Sequence, residues 1–339
     1  MKQAIYPFIF IILLFSSCTK KVGVTDVRSG FIFGTCPTDA CHAATIEEIS
    51  HNRLIAAWFG GSYEGAKDVG IYLAKFNGIK WLQPQCLINP PIIDGDTLPC
   101  WNPVLFKSQS DRLYLFYKVG KNPREWFGAM ITSEDEGDSW SDPEYLPDGI
   151  YGPIRNKPIE LTPGIILCGS STEGIEEDIW RVHNETYNEA TESWEVIEVP
   201  NPKELDVIQP TFIPHKNDQV QMLCRSRHNK IVSSWSEDNG TSWSPLDTLD
   251  VANSNSGIDA IAIDQNLFLM VNNPLKQGPD WFYGRNVLDV EYSFDGINWN
   301  HLFDLENKEK GQFSYPAIIQ TSDKTIHVLY TYNREGIKH

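Results

Sequence analysis

Apolar and polar residues alternate along this chain in short bursts, as in Arg53-Leu-Ile-Ala-Ala-Trp58 and Arg112-Leu-Tyr-Leu-Phe-Tyr117, and each burst runs into a cluster of turn formers. A period of two broken by Gly, Asp, Asn and Ser predicts half-buried strands joined by tight turns. No long helical pattern intervenes. The same order returns at long range: Ser133-Glu-Asp135-Glu-Gly137-Asp-Ser-Trp140 recurs as Ser236-Glu-Asp238-Asn-Gly240-Thr-Ser-Trp243. A shortened copy stands at Ser293-Phe-Asp295-Gly296-Ile-Asn-Trp299, and worn copies end at Trp81 and Trp194. These tryptophans lie 49 to 59 residues apart.

In the repeated turn, Asp and Gly make a tight hairpin, Ser and Asp side chains bond local backbone, and Trp packs between adjacent sheets. A period of this length suits one four-stranded blade per repeat. Blade openings align at His42-Ala-Ala-Thr, Asn102-Pro-Val-Leu, Asn156-Lys-Pro-Ile, Gln209-Pro-Thr-Phe, Ile258-Asp-Ala-Ile and Tyr315-Pro-Ala-Ile. The expected fold is therefore all-β, a six-bladed propeller of four-stranded antiparallel blades. The sixth opening leaves no room for a terminal turn before His339, so an N-terminal strand at Gly30 to Gly34 is expected to close the ring. One propeller domain then spans residues 30–339.

The N-terminus changes the picture of where the protein resides. Lys2, an apolar run from Ala4 to Phe15 and the small residues before Cys18 resemble a bacterial lipoprotein signal. The resemblance implies a signal peptide over 1–17, a lipidated Cys18, a polar tether over 18–29, export, and a membrane contact through the lipid. An ordinary signal peptide or short anchor is the alternative. Export permits disulfides among the six remaining cysteines, with Cys36/Cys41 and Cys86/Cys100 the sequence-near candidates. No metal-ligand spacing occurs, so neither a metal nor another cofactor is expected. The formal charge of -17 argues against a nucleic-acid partner. It does not exclude an acidic ligand, because a few arginines in a pocket outweigh a diffuse field at close range.

The Ser-x-Asp-x-Gly-x-x-Trp turn is similar to the Asp-box of the sialidase superfamily, and period, blade count and blade openings fit that family over nearly the whole mature chain. The resemblance implies an acidic-sugar site at the centre of one face, with an arginine triad binding the sugar carboxylate, a tyrosine and glutamate as nucleophile pair, and an aspartate as acid/base. By chain order, Asp68 resembles the aspartate, Arg225 and Arg285 the second and third arginines, and Tyr315 the nucleophile. Two positions depart from the family. His42 stands where the first arginine is expected, and Gln209 where the glutamate would activate tyrosine; glutamine cannot take a proton from a phenol. His42, Glu64 and Glu173 are the available substitute bases. The convergence of inner strands on a central mouth further gathers Trp58, Trp101, Lys118, Arg227, Asp259 and Arg334, giving forked donors for an acid group and aromatic faces for a ring.

Each residue also has a plainer role open to it: inter-blade salt bridges for the arginines, packing for Tyr315, a turn cap for Asp68, a satisfied buried histidine for His42, an exposed loop place for Glu173. Three functions follow. The first is an exo-glycosidase of the sialidase kind that releases a terminal sialic or uronic sugar from an acidic oligosaccharide or glycoconjugate. The second is a polysaccharide lyase on uronates, with His42 or Tyr315 moving the proton, and the third is a surface glycan-binding propeller without turnover.

Overall fold

The computed structural model describes residues 22–174, 178–280 and 282–339; the signal-like segment and Cys18 lie outside them. Five four-stranded antiparallel sheets and one three-stranded sheet follow one another along the chain, the six blades of a propeller. Their innermost strands are Ala40–Ser50, Cys100–Lys107, Ile159–Thr162, Val207–Pro214, Asp259–Asp264 and Phe313–Gln320. The last blade ends at Gly336–Lys338. Its edge is met by the N-terminal segment, where the Gly30 and Ile32 amides donate to His339 and Ile337 and the His339 amide returns to Gly30. The expected closure is present, and it pairs residues 30 to 32.

The apolar core lies in the seams between blades. Leu54, Ala56 and Trp58 pack with Ala317, Ile319 and Leu329 of the sixth blade. Ile55, Ala57 and Phe59, on the opposite face of the same strand, pack with Leu105, Leu115 and Ile131 of the second. A strand buried on both faces loses its alternation, which is why residues 54 to 61 are all buried.

The repeated turns have one internal wiring. Ser133 Oγ donates to Asp135 Oδ1 at 2.8 Å and accepts from the Gly137 amide at 2.8 Å, while Asp135 accepts from the Ser139 amide and hydroxyl. Ser236, Asp238, Gly240 and Ser242 reproduce it. Hydrogen bonds from Ser139 and Ser133 hold the Asp135 carboxyl down to about 2. Gly240 sits at φ +82°, a conformation glycine adopts without the Cβ penalty of other residues.

Four of the six innermost strands open on the same bulge. Register breaks fall between His42 and Thr45, Trp101 and Val104, Ile208 and Thr211, and Ser314 and Ala317. The residue after each break's start has a left-handed backbone: Ala43 (φ 57°), Asn102 (39°), Gln209 (59°) and Tyr315 (55°). This corrects the alignment of the first blade by one residue, since Ala43 rather than His42 is the structural counterpart of Asn102, Gln209 and Tyr315. Bulges re-aim side chains, and here they do so at the propeller's axis.

Asp259, expected in the mouth, is instead a buried knot. It accepts from Lys157 Nζ (2.7 Å), Thr211 Oγ1 (2.8 Å) and the Ile318 amide (2.9 Å), joining four blades. Lys118 is likewise fully buried, its ammonium donating to the Pro153 carbonyl, and burial holds its pKa down to about 7. The described cysteines are unbridged. Those of the Cys36/Cys41 pair are nevertheless hydrogen-bond neighbours, a contact that lowers the Cys36 thiol to about 6.

Candidate functional site

Tyr315 is the centre of the mouth. Its hydroxyl accepts from Arg225 Nη1 at 2.8 Å and from Gln209 Nε2 at 3.3 Å, and Arg225 Nη1 also reaches Gln209 Oε1 at 3.2 Å. Its ring lies beside the guanidiniums of Arg155, Arg225 and Arg285, with each central carbon 5.2–5.9 Å from the ring centre. Gly257 lies flat against the same ring, which a side chain there would crowd. Burial opposes ionising the phenol, but Arg225 and Arg285 outweigh it and the pKa is lowered. A phenol whose oxygen accepts twice from protein donors is prepared to carry negative charge without a neighbouring carboxylate base.

Arg225 and Arg285 come from different blades and are yoked by Asn255. Arg225 Nε donates to its Oδ1 (3.1 Å) and Arg285 Nη2 to its carbonyl (3.1 Å). Burial, then Arg225, press the Arg285 pKa down to about 10. Each cation disfavours the other's charge, while Glu64 favours that of Arg285, so an anion bound beside both is stabilised.

The His42 ring lies against that of Tyr315, with centroids 4.2 Å apart and planes tilted by 43°, and shares a hydrogen bond between Nδ1 and Thr331 Oγ1 (2.9 Å). Its Nε2 is buried without a partner. Burial, reinforced by Arg334, Arg285, Arg155 and Arg225, lowers its pKa well below the usual value, so the imidazole is neutral at pH 7. Arg334 is ion-paired with Glu64, and Glu64 is close enough to act electrostatically on both Tyr315 and Arg285.

A second group flanks the first. Glu173 ends its strand directly opposite Trp180, whose indole carries the guanidinium of Arg227 at 4.0 Å and that of Arg225 at 5.3 Å. Arg227 also binds Asp178 through its side chain at 3.0 Å. Burial raises the Glu173 carboxyl against the pull of Arg225, Arg124 and Arg227. Asp68 lies on the exposed 62–69 loop, with both oxygens accepting from the Ser62 amide at 3.1 Å; bonds from the Ser62 hydroxyl and amide lower its pKa.

The structure thus gathers Tyr315, Gln209, Arg225, Arg285 and His42, brings Arg334 alongside through Glu64, and places Glu173 and Arg227 on an adjoining rim. It does not bring Trp58 or Trp101 to the mouth. Trp58 is fully buried on the face that packs against the sixth blade, beside Phe33 and Tyr72. Trp101 is roofed by Gly65 and donates to the Gly120 carbonyl at 2.7 Å. Both expectations fail because the seams, not the axis, take the large apolar side chains.

Sequence reasoning missed Arg155, Asn255 and Trp180. Arg155 is 1% exposed and donates to the carbonyls of Tyr315 (2.6 Å) and Pro316 (3.0 Å). It directly precedes the aligned opening at Asn156, a signal that was present in the chain.

Three solved structures place the fold among known ones. An unknown-function protein from Dyadobacter fermentans superposes with a TM-score of 0.76 at 14% identity, over 93% of this chain and 98% of that one. A Hadza microbial sialidase gives 0.73 at 15%, over 94% and 70%. The NanB sialidase from Streptococcus pneumoniae gives 0.71 at 12%, over 91% and 70%. At these identities the likeness is one of fold. No curated protein matches the chain significantly. Residues 52–328 match the BNR repeat-like domain model. As that match runs from the second strand of the first blade into the sixth, around almost the entire ring, the chain belongs to the BNR repeat-like family.

Proposed function

We propose that the protein is an exo-acting glycoside hydrolase that removes a terminal acidic sugar, sialic or uronic, from glycans. The observation that carries this reading is the Asn255 yoke, which holds the Arg225 and Arg285 forks together over Tyr315. An ionised carboxylate would be held by two guanidiniums from different blades and offers two oxygens to the forks. Tyr315, lowered by those arginines, acts as nucleophile or stabilises the oxocarbenium-like transition state from below. Asp68, released from Ser62 when substrate meets the 62–69 loop, serves as general acid/base. Two of the solved structures that the chain resembles are sialidases by description, which supports the substrate class.

The test is incubation of the purified full chain with sialosides and with uronate-capped oligosaccharides, with products read by mass. Free acidic sugar that disappears in Asp68→Asn is the expected result. An unsaturated uronate would overturn hydrolysis in favour of the lyase reading, which the neutral His42 against Tyr315 favours. Saturable binding with no product would leave a glycan-capture protein, the reading that Gln209 in place of a base favours.

The proposal includes export and a lipid anchor at Cys18, supported by the Lys2, Ala4–Phe15 and Ser16-Ser17-Cys18 order. Labelled fatty acid is expected to enter the wild-type protein in a bacterial host and to be absent from Cys18→Ala. Equal labelling of both would remove the anchor from the proposal.

A further inference from the structure

Outside the mouth, the two outer strands of the fifth blade, Val287–Ser293 and Trp299–Asn307, carry an acidic group that the proposed reaction does not use. Their register sets Asp289 opposite Asp304 and Glu291 opposite His301. Ligand atoms of Asp289, His301 and Asp304 all lie within 4.8 Å of one another. His301 Nε2 is 2.8 Å from Asp304 Oδ1, and Asn307 Nδ2 donates to the other Asp304 oxygen at 3.0 Å.

Two of these carboxylates are buried with an oxygen left over. Asp289 is 3% exposed and its Oδ1 has no hydrogen-bond partner; Glu291 is 7% exposed and its Oε2 has none. The other Glu291 oxygen accepts from Asn272 Nδ2 at a long 3.3 Å. Among the described residues no lysine or arginine forms a salt bridge with either. A buried carboxylate without a cation costs several kcal/mol, and here two stand side by side. Asn272 and the nearby His301 offset that cost only in part, and the unpartnered Asp289 oxygen belongs to the same cluster as one imidazole and a second carboxylate.

We propose that Asp289, His301 and Asp304, backed by Glu291, bind one divalent cation of the Zn2+ or Mn2+ kind and so clamp the outer strands of the fifth blade. Carboxylates with a single imidazole suit these ions, whereas Ca2+ and Mg2+ favour oxygen alone. Asn307, bonded to Asp304 from behind, orients that ligand as second-layer partners do at metal centres. Simple spacing rules overlook the site because its ligands are brought together by cross-strand register, not by a short sequence interval.

The test uses the purified full chain, stripped with EDTA and dialysed against ZnCl2 or MnCl2, with bound metal counted by mass spectrometry and Tm followed in parallel. One equivalent of metal is expected, with a Tm that climbs as metal is added. Asp289→Asn and His301→Ala are each expected to weaken binding by at least about tenfold and to abolish the climb. His301 has an exposed side chain, so its variant keeps the test decisive if Asp289→Asn does not fold. Absence of stoichiometric binding overturns the proposal. So does undiminished affinity in His301→Ala, which would put the metal elsewhere, or uptake of CaCl2 with no uptake of the other two.

Discussion

Tyr315→Phe is expected to lower turnover of the acidic glycan by at least about 10³-fold while leaving its binding within a few-fold of wild type. The expectation rests on a single oxygen. It is the acceptor for both Arg225 and Gln209, so its removal deletes the one atom on which the arginines can develop negative charge, while the carboxylate forks themselves remain. The direction of the phenol's pKa gives a second readout. Burial opposes the lowering, and Arg225 is the largest influence that produces it. Arg225→Gln, which removes that positive charge, should therefore raise the pKa, seen as a later rise in phenolate absorbance on titration against a Tyr315→Phe blank. Full activity in Tyr315→Phe would end the case for a tyrosine-centred hydrolase. A titration unchanged by Arg225→Gln would end the case for arginine activation.

The largest structural effect is expected at Arg155. Its guanidinium is buried against the Tyr315 ring and donates to the carbonyls of Tyr315, whose backbone is left-handed, and of Pro316, which follows it. Arg155→Met would preserve bulk and leave both carbonyls without these donors. A loss of about 3–5 kcal/mol is expected from two charge-assisted bonds and the strain they restrain, a fall of roughly 5–8 °C in Tm for a domain of this size. Arg155→Lys, which restores one charged donor but no fork, should lie between the two. A Tm within a degree of wild type in Arg155→Met would show that the Tyr315 turn holds itself.

Much of this architecture was legible beforehand because it is repetitive. The Asp135 and Asp238 turns recur with little change in the sequence and have matching hydrogen bonds in three dimensions. The site was legible only in part, and the reasons are physical. Arg225, Arg285 and Tyr315 were found by chain order from the family resemblance, and Gln209 and Tyr315 also stand at aligned blade openings. Trp58 and Trp101 were misplaced because composition cannot say whether an aromatic faces the axis or a seam, and in a strand covered on both faces alternation no longer distinguishes them. Arg155 was overlooked because it donates to backbone carbonyls, partners that leave no trace in side-chain patterning. His42 was aligned one residue off because a bulge inserts a position without altering the residue types around it.

That bulge also bears on how such a protein can change its trade. Ala43, Asn102, Gln209 and Tyr315 occupy one backbone socket repeated around the ring, and each bears the strain of a left-handed non-glycine residue, about 1–3 kcal/mol, whatever its side chain. Gln209 and Tyr315 meet at the Tyr315 hydroxyl, and since the frame carries that load already, replacing the occupant of either socket alters the chemistry offered there without asking for a new backbone. Glutamine and tyrosine are then two settings of the same dial, and single substitutions at these two sockets retire, redirect or restore a reaction while the propeller stays the same.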